Sequence, residues 1–217
     1  MIKRHANHWF ELAFVFALAP TAWAQSVDPT ARSAAIVLFD NAEQLSSKGR
    51  LAEACPKYGE SYRLDPQLGA LLHWADCLEK NGQYASAYGA FRESVELAQR
   101  RNDDRQQLAA SRVQALESRV NRMIVDVPSE VRVPGLKVYR DGLLLTESSW
   151  GLALPVDPGE HVIEARAEGY ETYRATLRQV GEGHQDRFVL RALIPHPQAR
   201  LAAASPHTEG HNPAHDN

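Results

Sequence analysis

The feature that most constrains the fold of this chain is an internal repeat within residues 34–100. When the sequence is shifted by 33 positions against itself, apolar, small and hydroxyl positions coincide. The coinciding pairs are Leu38–Leu71, Ala42–Ala75, Leu45–Leu78, Gly49–Gly82, Ala54–Ala87, Tyr58–Phe91 and Ser61–Ser94. A repeat of this length is one helix–turn–helix unit, which buries its apolar face by stacking on the next unit. The sequence therefore predicts an α-helical stack.

Helix boundaries follow from apolar spacing and from stop signals. The stop signals are Asp65-Pro66, Asn81-Gly82 and Asn102-Asp103. A further segment with one apolar stripe (Leu108, Val113, Leu116, Val120) predicts a capping helix. The predicted helices span 34–49, 51–64, 68–79, 84–99 and, for the cap, 103–121.

The packing positions of the repeat resemble those of the tetratricopeptide repeat. Alanines at 42, 54, 75 and 87 allow close helix approach, and the aromatic residues at 58 and 91 fill the space between helix pairs. At the Trp/Leu position of the family, Asn41 stands against Trp74. The resemblance implies that the first helix of each pair lines a concave groove. The implied groove residues are Ile36, Phe39, Glu43, Leu72, Asp76 and Glu79.

This combination of apolar anchors and acidic neighbours suits a peptide with apolar and basic residues. The Lys/Asn set with which other such repeats hold a C-terminal carboxylate is missing, because Phe39 and Glu43 occupy its place. An alternative stays open, in which Phe39 and Leu72 simply pack on the capping helix or on the region that follows it.

From Met123 onward the apolar period changes from helical to alternating, and Gly, Pro and Asp turns separate short runs. Residues 122–193 are therefore predicted to form a small all-β sandwich, and the fold class is α+β. The run Pro155–Tyr170 (PVDPGEHVIEARAEGY) and the upstream hairpin Val138–Gly142 resemble the PEGA domain, a small extracytoplasmic β module. The acids in Asp141-Gly142 and Asp157-Pro158-Gly159 are interpreted as turn residues.

Taken together, residues 34–193 resemble exported bacterial proteins, of a myxobacteria-like kind, that pair tetratricopeptide helices with a PEGA-like module. The N-terminus agrees with export. Lys3 and Arg4 precede the apolar run 12–19, and Ala22-Trp23-Ala24 fits signal peptidase. We predict a signal peptide over 1–24, cleaved after Ala24, and a periplasmic or secreted mature chain without a transmembrane segment.

The remaining ends are predicted to lack stable structure. Residues 25–33 form a flexible lead-in, and residues 194–217, rich in Pro, Ala and His, form a disordered tail. The tail histidines at 196, 207, 211 and 215 allow weak metal binding as an alternative to a merely solvated tail.

The two cysteines, Cys55 and Cys77, each lie 11 positions from Pro66, at the turn between two predicted helices. Antiparallel helices place such positions level with each other, and an exported compartment is oxidising. The spacing therefore predicts a disulfide. Two alternatives stay open: buried free thiols, and a zinc site completed by His73 on the same helix face.

The residues that carry chemistry do not form a catalytic pattern: there is no Gly-x-Ser-x-Gly, phosphate loop or His-Glu-x-x-His. The formal charge of −3 gives no support for nucleic-acid binding. We expect a non-enzymatic, cofactor-free envelope scaffold whose helical repeats bind a protein or peptide partner. The alternative is a protein that binds the cell wall, the surface layer or carbohydrate through its β region, using Tyr139, Tyr170 and Tyr173.

Overall fold

The computed structural model describes residues 28–197, so the predicted signal peptide and the tail beyond residue 197 lie outside the described residues. The fold is α+β, with a helical half followed by a β half. The helices are α1 (Pro29–Ser47), α2 (Leu51–Leu64), α3 (Leu68–Lys80), α4 (Tyr84–Arg101) and α5 (Gln106–Leu116). The strands are β1 (Asn121–Asp126), β2 (Lys137–Arg140), β3 (Leu143–Leu145), β4 (Ala153–Val156), β5 (Gly159–Arg166), β6 (Tyr173–Gln179) and β7 (Gln185–Val189).

The helices pack in chain order, α1 on α2, α2 on α3, α3 on α4 and α4 on α5. The four repeat alanines predicted at close-packing positions are completely buried. Between the pairs, α2 approaches α3 at Gly59, where a Cβ atom would lie 3.0 Å from the Trp74 ring. A side chain at position 59 would therefore require the Trp74 ring to shift, so glycine favours this close approach of the two helices.

The helix boundaries agree with the sequence prediction for α2 and differ at the two ends of the stack. α1 begins at Pro29, with Asp28 accepting a hydrogen bond from the Thr30 N–H at 3.0 Å. An N-cap aspartate followed by proline is a strong helix start, so the predicted flexible lead-in is wrong for residues 29–33.

The capping helix is shorter than predicted, because α5 covers only Gln106–Leu116. Its end is set by Asn121, which is buried and opens β1. The Asn121 side chain donates to Gly181 O at 3.0 Å and accepts from His184 N at 2.8 Å. These bonds tie residue 121 to the loop before β7, so the chain leaves the helix before reaching it.

The strands form two sheets, in the orders β4–β1–β7 and β3–β2–β5–β6. The second sheet is antiparallel throughout, whereas β1 runs parallel to β7 in the first sheet. The two sheets enclose one apolar core, so the β half is a sandwich. Its most buried residues are Met123, Val127, Val138, Ile163, Ala165 and Leu190.

Local turn chemistry explains the hairpin between β2 and β3. Asp141 has φ of 52° and Gly142 has φ of 80°, the left-handed values that a two-residue hairpin turn requires. The Asp141 carboxylate does more than the predicted turn role, since it also accepts from the Val162 N–H at 2.9 Å.

The end of the β half is more ordered than the sequence suggested. The last strand, β7, ends at Val189, and Leu193 is buried without belonging to a strand. Ile194 O accepts from Glu171 N at 2.8 Å, and His196 N donates to Gly169 O at 2.8 Å. The predicted disordered tail is therefore wrong for residues 194–196.

Within residues 28–197, no helix combines the length and the apolar character that a membrane crossing requires.

Candidate functional site

Two clefts flank helix α3, one on each side. The α1–α3 cleft has a volume of about 270 Å³ and the α3–α5 cleft about 350 Å³. The α1–α3 cleft is lined by Ala35, Ile36, Phe39, Asp40, Ser61, Asp65, Gln67, Gly69, Ala70 and His73. The α3–α5 cleft is lined by Gly69, Leu72, His73, Asp76, Phe91, Arg105, Leu108 and Arg112. Because Gly69 and His73 belong to both, the clefts form one surface that crosses α3.

The packing order of the helices creates these clefts. α1 and α3 both pack on α2, while α3 and α5 both pack on α4. The backbones of α1 and α3, and those of α3 and α5, therefore stay apart, and only side chains connect them across the clefts. This is the face on which the sequence placed the groove.

No side chain rises between the two clefts at residue 69, because that residue is glycine. A Cβ atom built there would have only one neighbour within 4 Å, the Arg105 Nη1 atom at 3.9 Å. Gly69 lies within α3, so an added side chain would fit the helix and project over the surface.

The two predicted anchors on α1 behave differently. Ile36 is 56% exposed and its side chain is available at the cleft. Phe39 is half-buried in an aromatic cluster, with its ring centroid 5.4 Å from Tyr58 and 5.0 Å from His73. Phe39 therefore packs within the helical stack itself and contributes only its edge to the cleft.

Leu72, the predicted anchor on α3, borders the α3–α5 cleft opposite Leu108. Leu108 was expected to belong to the buried stripe of the capping helix, but it is 57% exposed. Its exposure adds an apolar contact to the cleft that the sequence reasoning missed.

Glu43 accepts a hydrogen bond from the Tyr58 hydroxyl, and its carboxylate lies 2.9 Å from the His73 Nδ1 atom. The pKa of the Tyr58 phenol is raised mainly by its burial and further by its hydrogen bond to Glu43. The phenol therefore stays neutral and does not cancel the charge of the carboxylate. Glu43 remains partly exposed, with 47% of its side chain accessible.

The predicted acids on α3 are already engaged. The Glu79 side chain is only 9% exposed and forms ion pairs with Arg112 on α5 and with Arg119. Asp76 is exposed but pairs with Lys80 one turn later at 2.6 Å. Glu79 therefore joins α3 to α5 and is not an open groove acid.

The β half contributes no lining residue to either cleft among the residues that the structure describes. It contacts the other end of the helices instead, where the Asp157 carboxylate accepts from the N–H groups of Ala85 and Ser86 at 2.7 and 3.0 Å. Glu182 forms a second contact with Arg119 at 2.7 Å. Side-chain hydrogen bonds, the stronger one from Arg119 and the other from Tyr84, lower the pKa of Glu182 to about 2. The β half therefore leaves the cleft surface open.

The predicted disulfide between Cys55 and Cys77 is confirmed, with Cα atoms 5.5 Å apart. It joins α2 to α3, and both residues are buried. Because each sulfur is bonded to the other, the zinc and free-thiol alternatives are wrong.

The three tyrosines of the carbohydrate alternative do not share one face. Tyr139 pairs with Glu164, whereas Tyr173 pairs with the adjacent Ala165, so their side chains point to opposite sides of the sheet. Tyr173 packs into the core beside Phe188 at 6.2 Å. Tyr139 remains half-exposed beneath the Arg166 guanidinium.

Besides Leu108, sequence reasoning missed three further residues that shape the site or its support. Gly69 was detectable, because a glycine inside a predicted helix costs stability and indicates a close approach or an open surface. Asp40 lines the α1–α3 cleft but did not stand out among other helical acids. His161 is buried between Asp141 at 2.7 Å and the Asp157 carbonyl at 2.8 Å. Its two ring nitrogens are both engaged in these contacts, so it holds turns together.

Comparison with known proteins adds nothing to this geometry. No protein-family model matches the chain, and no curated protein matches it significantly.

Proposed function

We propose that this protein is a non-enzymatic scaffold of the cell envelope whose helical half binds a protein partner. The observation that carries the proposal is the continuous surface formed by the two clefts across α3. Exposed apolar side chains, Ile36 and Leu108, lie at its two ends, and a glycine keeps its centre low. An extended peptide that lays side chains into both clefts fits this shape.

Export and family membership belong to the same proposal. A disulfide supports an oxidising compartment, and it agrees with a signal peptide over residues 1–24. The paired helices and their buried alanines support a tetratricopeptide-like stack. The β half then acts as a PEGA-like brace, since its contacts are with α4 and with the segment after α5.

Gly69→Leu tests the proposal with little risk to the fold. A leucine at this helical position fills the low point between the clefts, and leucine forms helices better than glycine does. Gly89→Leu on α4 is the matched control. Gly89 lines neither cleft, and a Cβ atom there would have no neighbour within 4 Å. Both variants are expected to be at least as stable as the wild type.

The measurement is the affinity of peptides selected on the purified wild-type protein from a random display library. We expect Gly69→Leu to weaken the selected peptides by at least about tenfold, which corresponds to about 1.4 kcal/mol. Gly89→Leu should change their affinity less than about twofold, or about 0.4 kcal/mol. Selected peptides that bind Gly69→Leu as tightly as the wild type would contradict a binding surface across α3.

A further inference from the structure

The charges that remain available differ between the two clefts, and this difference assigns a chemistry to the partner. The α1–α3 cleft has Asp40 at its rim, where the carboxylate is exposed and makes no ion pair or hydrogen bond with any residue of 28–197. The nearby Glu43 carboxylate is partly exposed, accepts a hydrogen bond from a neutral phenol and lies 2.9 Å from the His73 Nδ1 atom. Asp40 therefore gives this end of the surface a negative charge that no ion pair within residues 28–197 neutralises.

The α3–α5 cleft carries no such excess of negative charge. Asp76 pairs with Lys80, and Glu79 is enclosed between Arg112 and Arg119. Arg105 also lines this cleft and pairs with Asp103 at 2.6 Å. The side chains of Arg105 and Arg112, which line the cleft, remain more than 40% exposed.

Apolar surface lies beside the free acid. Ile36, at 56% exposure, and the edge of Phe39 face Ala70 across the α1–α3 cleft. An aliphatic side chain placed there removes apolar surface from water, and a cation one or two residues along the same peptide reaches Asp40.

We propose that the partner segment is an extended peptide that pairs an aliphatic or aromatic residue with an adjacent lysine or arginine, and that Asp40 selects the cation. This inference deepens the proposed function and rests on it. The basic end of the peptide lies over α1, and its remaining part crosses Gly69 toward Leu108 and the guanidinium groups of Arg105 and Arg112. Asp40 is thus a specificity residue, whereas Ile36 is an apolar anchor.

The test is a double-mutant cycle on one selected peptide. The peptide is synthesised with its lysine and with norleucine, which keeps the methylene chain and removes the charge. Each form is measured against the wild type, Asp40→Asn and the control Glu96→Gln. Glu96 lies on α4 outside both clefts, so its substitution removes the same charge from another face.

Asp40→Asn is expected to weaken the lysine peptide about two- to fivefold and to leave the norleucine peptide unchanged, because an exposed ion pair is worth this much. Glu96→Gln should affect both peptides equally and slightly. The Asp40 effect should shrink in 1 M salt, where exposed charges are screened.

The outcomes separate this inference from the function beneath it. Suppose that Gly69→Leu abolishes binding. The assigned chemistry is then wrong, while the binding surface stands, if the selected peptides contain no basic residue or if Asp40→Asn weakens both peptide forms equally. If Gly69→Leu has no effect, both are wrong. Self-association of the protein that Asp40→Asn removes would assign the surface to a second copy and overturn the peptide proposal.

Discussion

The carboxylate of Asp157, in the turn between β4 and β5, accepts a hydrogen bond from the backbone N–H of Ala85 in the first turn of α4. The same carboxylate accepts from the N–H and the hydroxyl of Ser86. Gln83, the residue that precedes α4, makes no capping bond with its own side chain. The β half therefore supplies the N-cap of a helix in the other half of the protein.

Asp157→Ala is expected to lower the free energy of unfolding by about 1 kcal/mol, the usual cost of losing an N-cap. Urea denaturation measures the change. Asp157→Asn keeps an acceptor oxygen and should cost less. Asp186→Ala, on the exposed β7 strand, is the control and should be close to neutral. Equal stability of the Asp157 and Asp186 alanine variants would contradict a capping role.

Glu79→Ala is expected to destabilise the protein by about 1 kcal/mol, because it leaves Arg112 and Arg119 without their shared carboxylate. The arginines are 41% and 37% exposed, so solvent screens part of the cost. Asp76→Ala removes an exposed pair with Lys80 and should cost less than about 0.5 kcal/mol. Thermal unfolding of both variants checks the difference, and the reverse order would show that Glu79 is not the structural link.

Removal of the Cys55–Cys77 bridge by paired serine substitution is expected to cost about 3 kcal/mol in the chain-entropy model for a bridge over 22 residues. Denaturant titration measures this loss. Alkylation of the untreated, denatured wild type should modify no cysteine, whereas reduction beforehand should expose both thiols. Two alkylated cysteines without reduction would show that the purified protein lacks the bridge.

Glu164 is expected to make the folded protein less stable as the pH falls into the acid range. Hydrogen bonds from Arg166 and then Arg174 hold the pKa of the Glu164 carboxyl below its ordinary value. Because the folded-state pKa is the lower one, the stabilisation is complete above the unfolded-state pKa and is lost as the pH falls through the folded-state pKa.

Glu164→Gln should therefore show a smaller fall in melting temperature than the wild type between about pH 6 and pH 2. The wild type and the variant are melted across this range. Glu160→Gln, on the same strand but without an ion pair among residues 28–197, is the control and should follow the wild type. An unchanged acid response in Glu164→Gln would contradict the assigned linkage.

Local sequence information determined much of the helical half. Apolar spacing and Asp-Pro or Asn-Gly stops act over a few residues, so α2 was predicted with both of its ends. The 33-residue register placed the buried alanines, because stacked repeats must present matching faces. The equal distance of Cys55 and Cys77 from the turn at Pro66 placed the disulfide. In the β half, the Asp141-Gly142 dipeptide encoded its own hairpin turn.

Other features depended on residues distant in sequence. The end of α5 is set by Asn121 bonding to the loop before β7, and the parallel pairing of β1 with β7 joins the two ends of the sandwich. Whether an acid lies free, as Asp40 does, or enclosed, as Glu79 is, depends on which arginines a neighbouring helix brings near. The sequence predicted the turn at Asp157, but it did not predict that the Asp157 side chain caps α4.

The sequence by itself thus determined the order of the two halves, the repeat register and the disulfide, because each follows from contacts within or between adjacent units. Only the tertiary structure decided that the clefts cross α3 at Gly69 and that the β half leaves them open. It also decided that the available negative charge lies on the α1 side. These properties arise from surfaces that meet across long sequence separations, where periodicity and local turn chemistry carry no information.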